Sequence, residues 1–396
     1  MSDLHSVQIS APGKVILHGD HSVVYGKLAI AASINKSTKL SITLETTPKI
    51  TLVFHDINLN LEIPLQDIQN NILDNGILPL QDTYSIDNPD SLIFDDLINK
   101  IKNYLDNLEV TYDVSQTNAL LAFLYLYLAM YSPVGLKNGL FVNISSDLTI
   151  GAGLGSSASF SVCIAGGFIQ LLKLQQKFAF TTENTTEFND FEKDLIRKWA
   201  FQAERVMHGN PSGLDNTICT YGGFVEYRKG VAPKPLDIST NLQQFEALLI
   251  NTNVPKNTRV QVEKVARFKA QFPGIVEHIL DTMEEISKNA IESMKSLFKG
   301  DLDREYRVLN TLYDVNQNML RSLGVSHAAI EKVCAILSEF DLHAKITGAG
   351  GGGYVLCLVP NYISESVVLD VQNKLENVGF TSDRLNLGVE GVHLLK

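Results

Sequence analysis

The sequence predicts an α+β fold of two domains, and three observations carry that prediction. The chain has 396 residues, of which 45% are hydrophobic and 19% charged. That is enough apolar content for large cores and more length than one core usually organises, and it excludes global disorder. Strand-like and helix-like segments follow one another in irregular order, not as a repeating strand–helix–strand series. A break at residues 229–235, after a glycine turn and a short strand, sets the domain border, giving segments 1–228 and 229–396.

Each element has a local reason. Residues 7–9 and 15–17 flank Pro12-Gly13 and read as two short strands about a turn, and 28–34 and 39–43 continue with strand-like patterns. Residues 50–54 and 59–63 alternate as a hairpin does. From 67 to 95 the chain is rich in Asn, Asp and Gln, with Pro79 and Pro89, and reads as a surface excursion. Residues 91–108 carry Leu92, Phe94, Leu97, Ile98, Ile101 and Leu105 at helical spacing. The apolar run 119–131 is closed by Pro133; it falls short of the ~20 residues that span a bilayer and reads as a buried helix. A strand at 139–145 leads into a glycine loop and an apolar helix at 158–174. A second helix, with Leu195, Ile196, Trp199 and Val206 on its apolar side, is broken by Gly209-Asn210-Pro211-Ser212-Gly213. Beyond the border come a strand at 247–250, helices across 259–298, 302–320 and 328–337, a strand at 354–359, a helix at 365–378 and closing strands.

Charge and cysteine exclude several function classes. The chain has 33 basic and 44 acidic residues, a formal net charge of −11. With no long Lys/Arg run it is a poor partner for nucleic acid or an anionic membrane, while a small anionic substrate stays possible in a locally basic pocket. Cys163, Cys219, Cys334 and Cys357 are too widely spaced for a zinc knuckle and too few for a disulfide scaffold. No basic segment followed by an apolar one opens the chain and no Ser-Lys-Leu closes it, so a cytoplasmic location is expected.

Three glycine-bearing segments hold the chemistry. Gly348-Ala349-Gly350-Gly351-Gly352-Gly353 satisfies G-x-G-x-x-G, but an apolar strand follows it, so the helix N-terminus that holds a dinucleotide pyrophosphate is missing. Small residues there let a backbone pass close to a ligand or another loop. Gly151-Ala152-Gly153-Leu154-Gly155-Ser156-Ser157 has the better context, strand then loop then helix. Without side chains its N–H groups can converge on an anion at the helix's positive end. The simpler reading of Ser156 and Ser157 is helix capping. No Walker-A or protein-kinase signature occurs. The third segment is Ala11-Pro12-Gly13-Lys14-Val15-Ile16-Leu17-His18-Gly19-Asp20-His21. Its His18/His21 pair lacks the helical Glu context of a zinc protease.

Together these segments resemble the GHMP kinases, small-molecule kinases named for galactokinase, homoserine kinase, mevalonate kinase and phosphomevalonate kinase. Residues 12–17 resemble the family's first motif, 151–158 its phosphate loop and 345–353 its third motif. Trp199-Ala200-Phe201-Gln202-Ala203-Glu204-Arg205 and His208-Gly209-Asn210-Pro211-Ser212-Gly213 with Asp215-Asn216 are most similar to the mevalonate-phosphorylating branch. Motif order agrees along essentially the whole chain. Two departures stand out: Asp20 where that branch typically has Glu, and Thr149-Ile150 where prolines usually precede the loop.

The resemblance implies a ribosomal-S5-type N-terminal domain, an α+β C-terminal domain and an active site in the cleft between them. It implies ATP-dependent phosphorylation of the 5-hydroxyl of mevalonate. ATP would lie on Gly151, Ala152, Gly153, Leu154, Gly155, Ser156 and Ser157, with Ser146 and Lys14 nearby. Ser157 and Glu204 would hold Mg²⁺, a cation that takes oxygen ligands. Asp215 would accept or orient the attacking hydroxyl, with Lys14 favouring its ionised form and offsetting developing charge. Lys14, Asp20, His21 and Asp215 would contact substrate, and Gly348, Gly350 and Gly351 belong to the third motif. Lys256 and Thr258 would close the cleft, and adenine would lie near residues 103–118. Dimers and inhibition by prenyl diphosphates are further implications. Phosphorylation of another alcohol such as phosphomevalonate, and a catalytically silent binding protein, are the competing readings.

Overall fold

The structure, a computed structural model, describes residues 6–73, 86, 89, 94–108, 110–131, 138–175, 186–209, 211–238, 245–297 and 301–395. Its first hairpin differs from the expected four short strands. β1 (Ser6–His18) and β2 (Ala29–Glu45) are continuous and antiparallel, 13 and 17 residues long. Pro12-Gly13 does not turn the chain. The pairing slips there, from Pro12 opposite Ser37 to Gly13 opposite Ile34, which makes a bulge. Proline offers no ladder donor, so a bulge is where a long strand tolerates it. A Cβ at Gly13 would lie 2.7 Å from the Leu154 carbonyl oxygen, so the bulge is also where β1 meets the glycine loop.

The expected hairpin is β3 (Lys49–Phe54) with β4 (Leu59–Pro64). The remaining strands are β5 (Gly139–Ser146), β6 (Phe224–Tyr227), β7 (Lys234–Pro235), β8 (Phe245–Asn251), β9 (Ala344–Thr347), β10 (Tyr354–Val359), β11 (Thr381–Leu387) and β12 (His393–Leu394). They join one mixed sheet whose main path runs β4-β3-β5-β2-β11-β8-β10-β9. Only β3 and β5 pair in parallel among the described strands. The sheet is continuous across the two sequence segments, through β2 and β11, as the α+β expectation allows.

Helices cover the sheet: α1 (Leu65–Ile68), α2 (Phe94–Asp106), α3 (Val114–Leu126), α4 (Ser156–Leu174), α5 (Asp190–His208), α6 (Leu214–Tyr221), α7 (Thr258–Gln271), α8 (Pro273–Ser296), α9 (Leu302–Ser322), α10 (Ala328–Ser338) and α11 (Glu365–Glu376). α3 opens with a capping box, in which Asp113 accepts from the Gln116 N–H and Gln116 accepts from the Asp113 N–H. The apolar run 119–131 is buried throughout, continuing past α3 as a wider helical turn. The helical stretch expected across 259–298 is two helices, because Pro273 cannot donate to the preceding turn and instead starts α8. α4 is long and apolar enough to cross a membrane by length and composition, yet it is almost wholly buried here, packed on β1, β2 and α5. Much of the expected surface excursion at 67–95, with Leu92, falls outside the described residues.

Burial divides into cores that explain where the site lies. One gathers residues of β1–β5 and α2–α5, and another gathers α8–α11 with β8–β10. A third is shared: Val15, Leu17, Ile30 and Ile34 pack with Leu249, Leu309, Tyr313 and Leu385. The ends of β1 and β9 and the two long glycine loops meet beside this shared core.

Candidate active site

The glycine loop after β5 is built for close approach. Gly151, Gly153 and Gly155 have φ of 74°, 78° and 75°, the left-handed region that other residues enter only with strain. Ala152 N–H bonds the Thr149 carbonyl, closing the loop at 3.3 Å without the prolines usual in the family. The N-cap of α4 is Gly155, which has no side-chain cap, so Ser156 and Ser157 stand in the first turn and not as caps, and Ser157 bonds Glu204. Capping therefore does not explain them. Ser159, one turn on, is structural: its hydroxyl donates to Ala11 O at 2.7 Å and accepts from the Thr38 N–H at 3.3 Å.

Lys14 reaches this loop from just past the β1 bulge. Its N–H donates to Leu154 O at 2.8 Å, and a Cβ at Gly155 would lie 2.9 Å from its Cγ. The loop glycine thus makes room for the lysine stem. The ammonium ends 3.3 Å from Oδ1 of Asp215, in the first turn of α6. Glu204, buried on α5, completes the group. Burial pushes its carboxyl up to about 7, the nearby Asp215 carboxylate adding to the rise, while the facing Ser157 hydroxyl and Lys14 oppose it. Its Oε1 is buried without a hydrogen-bond partner. A buried oxygen so placed, beside a hydroxyl and a second carboxylate, is a donor set suited to a hard divalent cation.

From the other side of the cleft, Lys256 donates to Ala152 O at 2.7 Å. A Cβ at Gly153 would lie 2.8 Å from its ammonium nitrogen and one at Gly353 2.7 Å from its Cδ, so both glycine loops wrap this side chain. Burial and the Lys14 cation push its ammonium below the ordinary range. Two lysines converge here, and among the described residues only Lys14 is paired with a carboxylate. Thr258 opens α7 and is exposed.

The third motif is the turn between antiparallel β9 and β10, not a helix start, as expected from the strand that follows it. Gly348, Gly350 and Gly351 have φ of 90°, 73° and 70°, and a Cβ at Gly350 would lie 2.3 Å from Val325 O. Thr347 ties the turn to β1: its hydroxyl donates to Ile16 O at 3.1 Å and accepts from the Ile16 N–H at 3.2 Å. His21 Nε2 lies 2.7 Å from Ala349 O. A carbonyl can only accept, so this nitrogen carries the proton. His18 plays no metal role. It is buried edge-on to Tyr313, and burial, reinforced by Lys345, holds its imidazole well below the ordinary range and neutral.

A cavity of about 150 Å³ opens beside the phosphate loop. Phe54, Ile57, Ile144, Ile150, Phe160 and Met207 give it apolar walls, and Thr38, Ser115, Asn118, Ser146, Ser156, Ser157 and His208 give it polar points. Apolar walls with a few convergent polar groups are the lining of a small-molecule site. Ser146 stands in its wall, sharing a 2.9 Å bond with the Thr38 hydroxyl.

Comparison with known proteins decides the family. The chain matches the GHMP kinases N terminal domain over residues 118–223 and the GHMP kinases C terminal domain over 293–378. It is 35% identical to mevalonate kinase of Homo sapiens over 98% of this chain and 94% of that protein. It is also 35% identical to mevalonate kinase of Candida albicans, over 98% and 89%. The chain belongs to the mevalonate kinase family. A solved structure of L. major mevalonate kinase in complex with R-mevalonate shares the fold, with a TM-score of 0.66 at 22% identity over 99% of this chain and 98% of that one. A Lactococcus lactis galactokinase shares it too, at 0.63, 15% identity and 99% and 95% coverage.

In this family member the structure brings Lys14, Ser157, Glu204 and Asp215 together at the mouth of the phosphate loop, with Lys256 across from them. Ser115 and Asn118 are the part of the expected adenine region, 103–118, that reaches the cavity. Asp20 stands apart. It is buried, with Oδ2 at 2.6 Å from the Lys345 ammonium and Oδ1 accepting the Gly348 N–H at 2.6 Å, so both oxygens are used within the protein. Lys345 had no role in the sequence reading. The available signal was a lysine inside the short strand Ala344–Thr347, otherwise apolar ahead of its terminal threonine. Burial pushes its ammonium below the ordinary range, opposed by Asp20.

Proposed function

We propose that this chain transfers the γ-phosphoryl group of ATP to the 5-hydroxyl of mevalonate, using Asp215 and Lys14 at the reacting end of the phosphate loop. The observation that carries this is the Lys14–Asp215 pair, 3.3 Å apart and half-open, beside the loop hydroxyls and Glu204. Phosphoryl transfer depends chiefly on positioning and on charge stabilisation. Asp215 accepts the proton of the attacking hydroxyl, or orients it, as the new bond forms. Lys14 pairs with Asp215 and lies where negative charge develops. The N–H groups of residues 151–157 and the N-terminus of α4 bind the polyphosphate, and the cavity beside them takes the nucleoside. His21 Nδ1, opposite the protonated Nε2, faces the acceptor.

Ser157 and Glu204 would hold the divalent cation, read here as Mg²⁺, which would supply neutralisation of phosphate charge. The unpartnered Glu204 oxygen supports that assignment. Three finer proposals accompany it. The apolar cavity wall beside the phosphate loop suits a prenyl diphosphate competing with ATP. A homodimer follows the family resemblance alone, and a cytoplasmic location remains the sequence-based expectation.

ADP release with Mg·ATP and a panel of mevalonate, phosphomevalonate, homoserine and galactose tests the reading. Turnover with mevalonate supports it. Turnover only with another acceptor keeps the site and moves the specificity. Bound ATP with no turnover on any acceptor favours a silent binding protein.

A further inference from the structure

The buried pair Asp20–Lys345 links two segments 325 positions apart in sequence at the acceptor side of the cleft. Lys345 spends its donors inside the protein, on Asp20 Oδ2 at 2.6 Å, on Ile346 O, and on Ile16 O at 3.5 Å. Its ammonium also lies 5.9 Å from the centre of the Tyr313 ring. Asp20 passes the connection on, accepting the Gly348 N–H at 2.6 Å with its second oxygen. One residue further along each segment, His21 Nε2 bonds Ala349 O at 2.7 Å. The dipeptide 20–21 is thus pinned to the dipeptide 348–349 at two points, with Lys345 beneath as counter-charge.

His21 needs such pinning. Its φ of 61° lies in the left-handed region, where a residue with a side chain persists only if its surroundings hold it. With Nε2 committed to Ala349, nothing among the described residues hydrogen-bonds Nδ1, which leaves that nitrogen for substrate. The nucleotide cavity has none of these residues in its lining.

Resting on the mevalonate kinase reading, we infer that Lys345 is a positioning residue: through Asp20 and the Gly348–Ala349 turn it sets the orientation of His21 toward the acceptor alcohol. Asp20 then acts on substrate through this connection and not by touching it. The chemistry requires no new group, only that the ring nitrogen facing the cleft stay in place.

Lys345→Met tests it by steady-state kinetics, with wild-type turnover of mevalonate measured first so that failure of the underlying reading shows separately. The expected result is a KM for mevalonate raised at least tenfold with the KM for ATP within twofold. In a His21→Ala background the same change is expected to move the mevalonate KM by less than twofold, because the two residues act as one unit. Equal rises in both KM values, or effects of the two substitutions that multiply, would overturn the inference. Should Lys345→Met fail to fold, Asp20→Asn with Lys345→Met removes both charges and leaves none unpaired. That double variant is expected to fold and to keep at least a fivefold rise in the mevalonate KM; a wild-type KM there sinks the proposal.

Discussion

Two lysine–aspartate pairs stand in this cleft, and they differ in what surrounds them. Lys14 and Asp215 are 3.3 Å apart, and the Asp215 side chain is 33% exposed. Lys345 and Asp20 are 2.6 Å apart, and both side chains are fully buried. In the first pair the carboxylate keeps an open side that a substrate hydroxyl can approach. In the second, every carboxylate oxygen already accepts from the protein. The same two side chains therefore serve chemistry in one place and geometry in the other. Access and saturation of lone pairs make the difference: in the first pair Lys14 is buried but its partner is partly open, whereas in the second both are closed off, and a fully buried pair is costly to break.

The largest effect should come from the open pair. Asp215→Asn is expected to lower kcat by ~10²-fold or more, the scale of a lost general base, with a smaller loss of stability than Lys345→Met gives, since Asp215 is 33% exposed and asparagine keeps an oxygen that can face Lys14. Steady-state kinetics and calorimetry on one preparation check both halves. The closed pair should behave in the opposite way. Lys345→Met strands a buried carboxylate and is expected to cost about 3–5 kcal/mol in urea unfolding, most of it regained with Asp20→Asn added. A Lys345→Met protein as stable as wild type would erase the contrast.

Glu204 sharpens the comparison, being buried like Asp20 but left with an unpartnered oxygen. Its folded carboxyl stands at about 7 against an ordinary 4.5, so between those values the folded protein holds a proton that the unfolded chain releases. Stability then falls as pH rises through that window and levels above it, by an amount on the order of 3 kcal/mol. Glu204→Gln is expected to lose activity, yet the metal-free variant should be more stable than wild type at pH 8. That advantage should vanish below about pH 4.5, as read by urea unfolding at both pH values.

The smallest effect separates Lys256 from its loop. Gly151 and Gly153 have nearly equal φ, 74° and 78°, but a Cβ meets nothing at the first and lies 2.8 Å from the Lys256 ammonium at the second. Alanine at either should cost about 1–2 kcal/mol of backbone strain. Only Gly153→Ala is expected to raise the KM for ATP further, by a few-fold, because it displaces Lys256. Equal KM values for the two variants would show that Lys256 does not bear on the nucleotide.

Much of this molecule was legible in the chain. An unbroken apolar run marked the buried helix at 119–131, and apolar patterning marked the helices from α4 onward except α6. Glycines ahead of an apolar helix marked the phosphate loop, and glycines ahead of an apolar strand ruled out a dinucleotide fold at 348–353. These are local matters, settled by dihedral freedom, side-chain spacing and hydrogen bonds within a few residues. Local rules also misled. Pro12-Gly13 looked like a turn and is a bulge, because pairing with β2 along the 13-residue β1 outweighs a local turn preference. Capping was the alternative for Ser156 and Ser157, and the left-handed Gly155 takes that position instead. Which carboxylate stays open, and which lysine closes on which aspartate, belonged to the tertiary structure alone. Burial and partner saturation arise only when segments hundreds of residues apart pack together, and no spacing in the sequence encodes how much water remains beside Asp215 or how little beside Asp20.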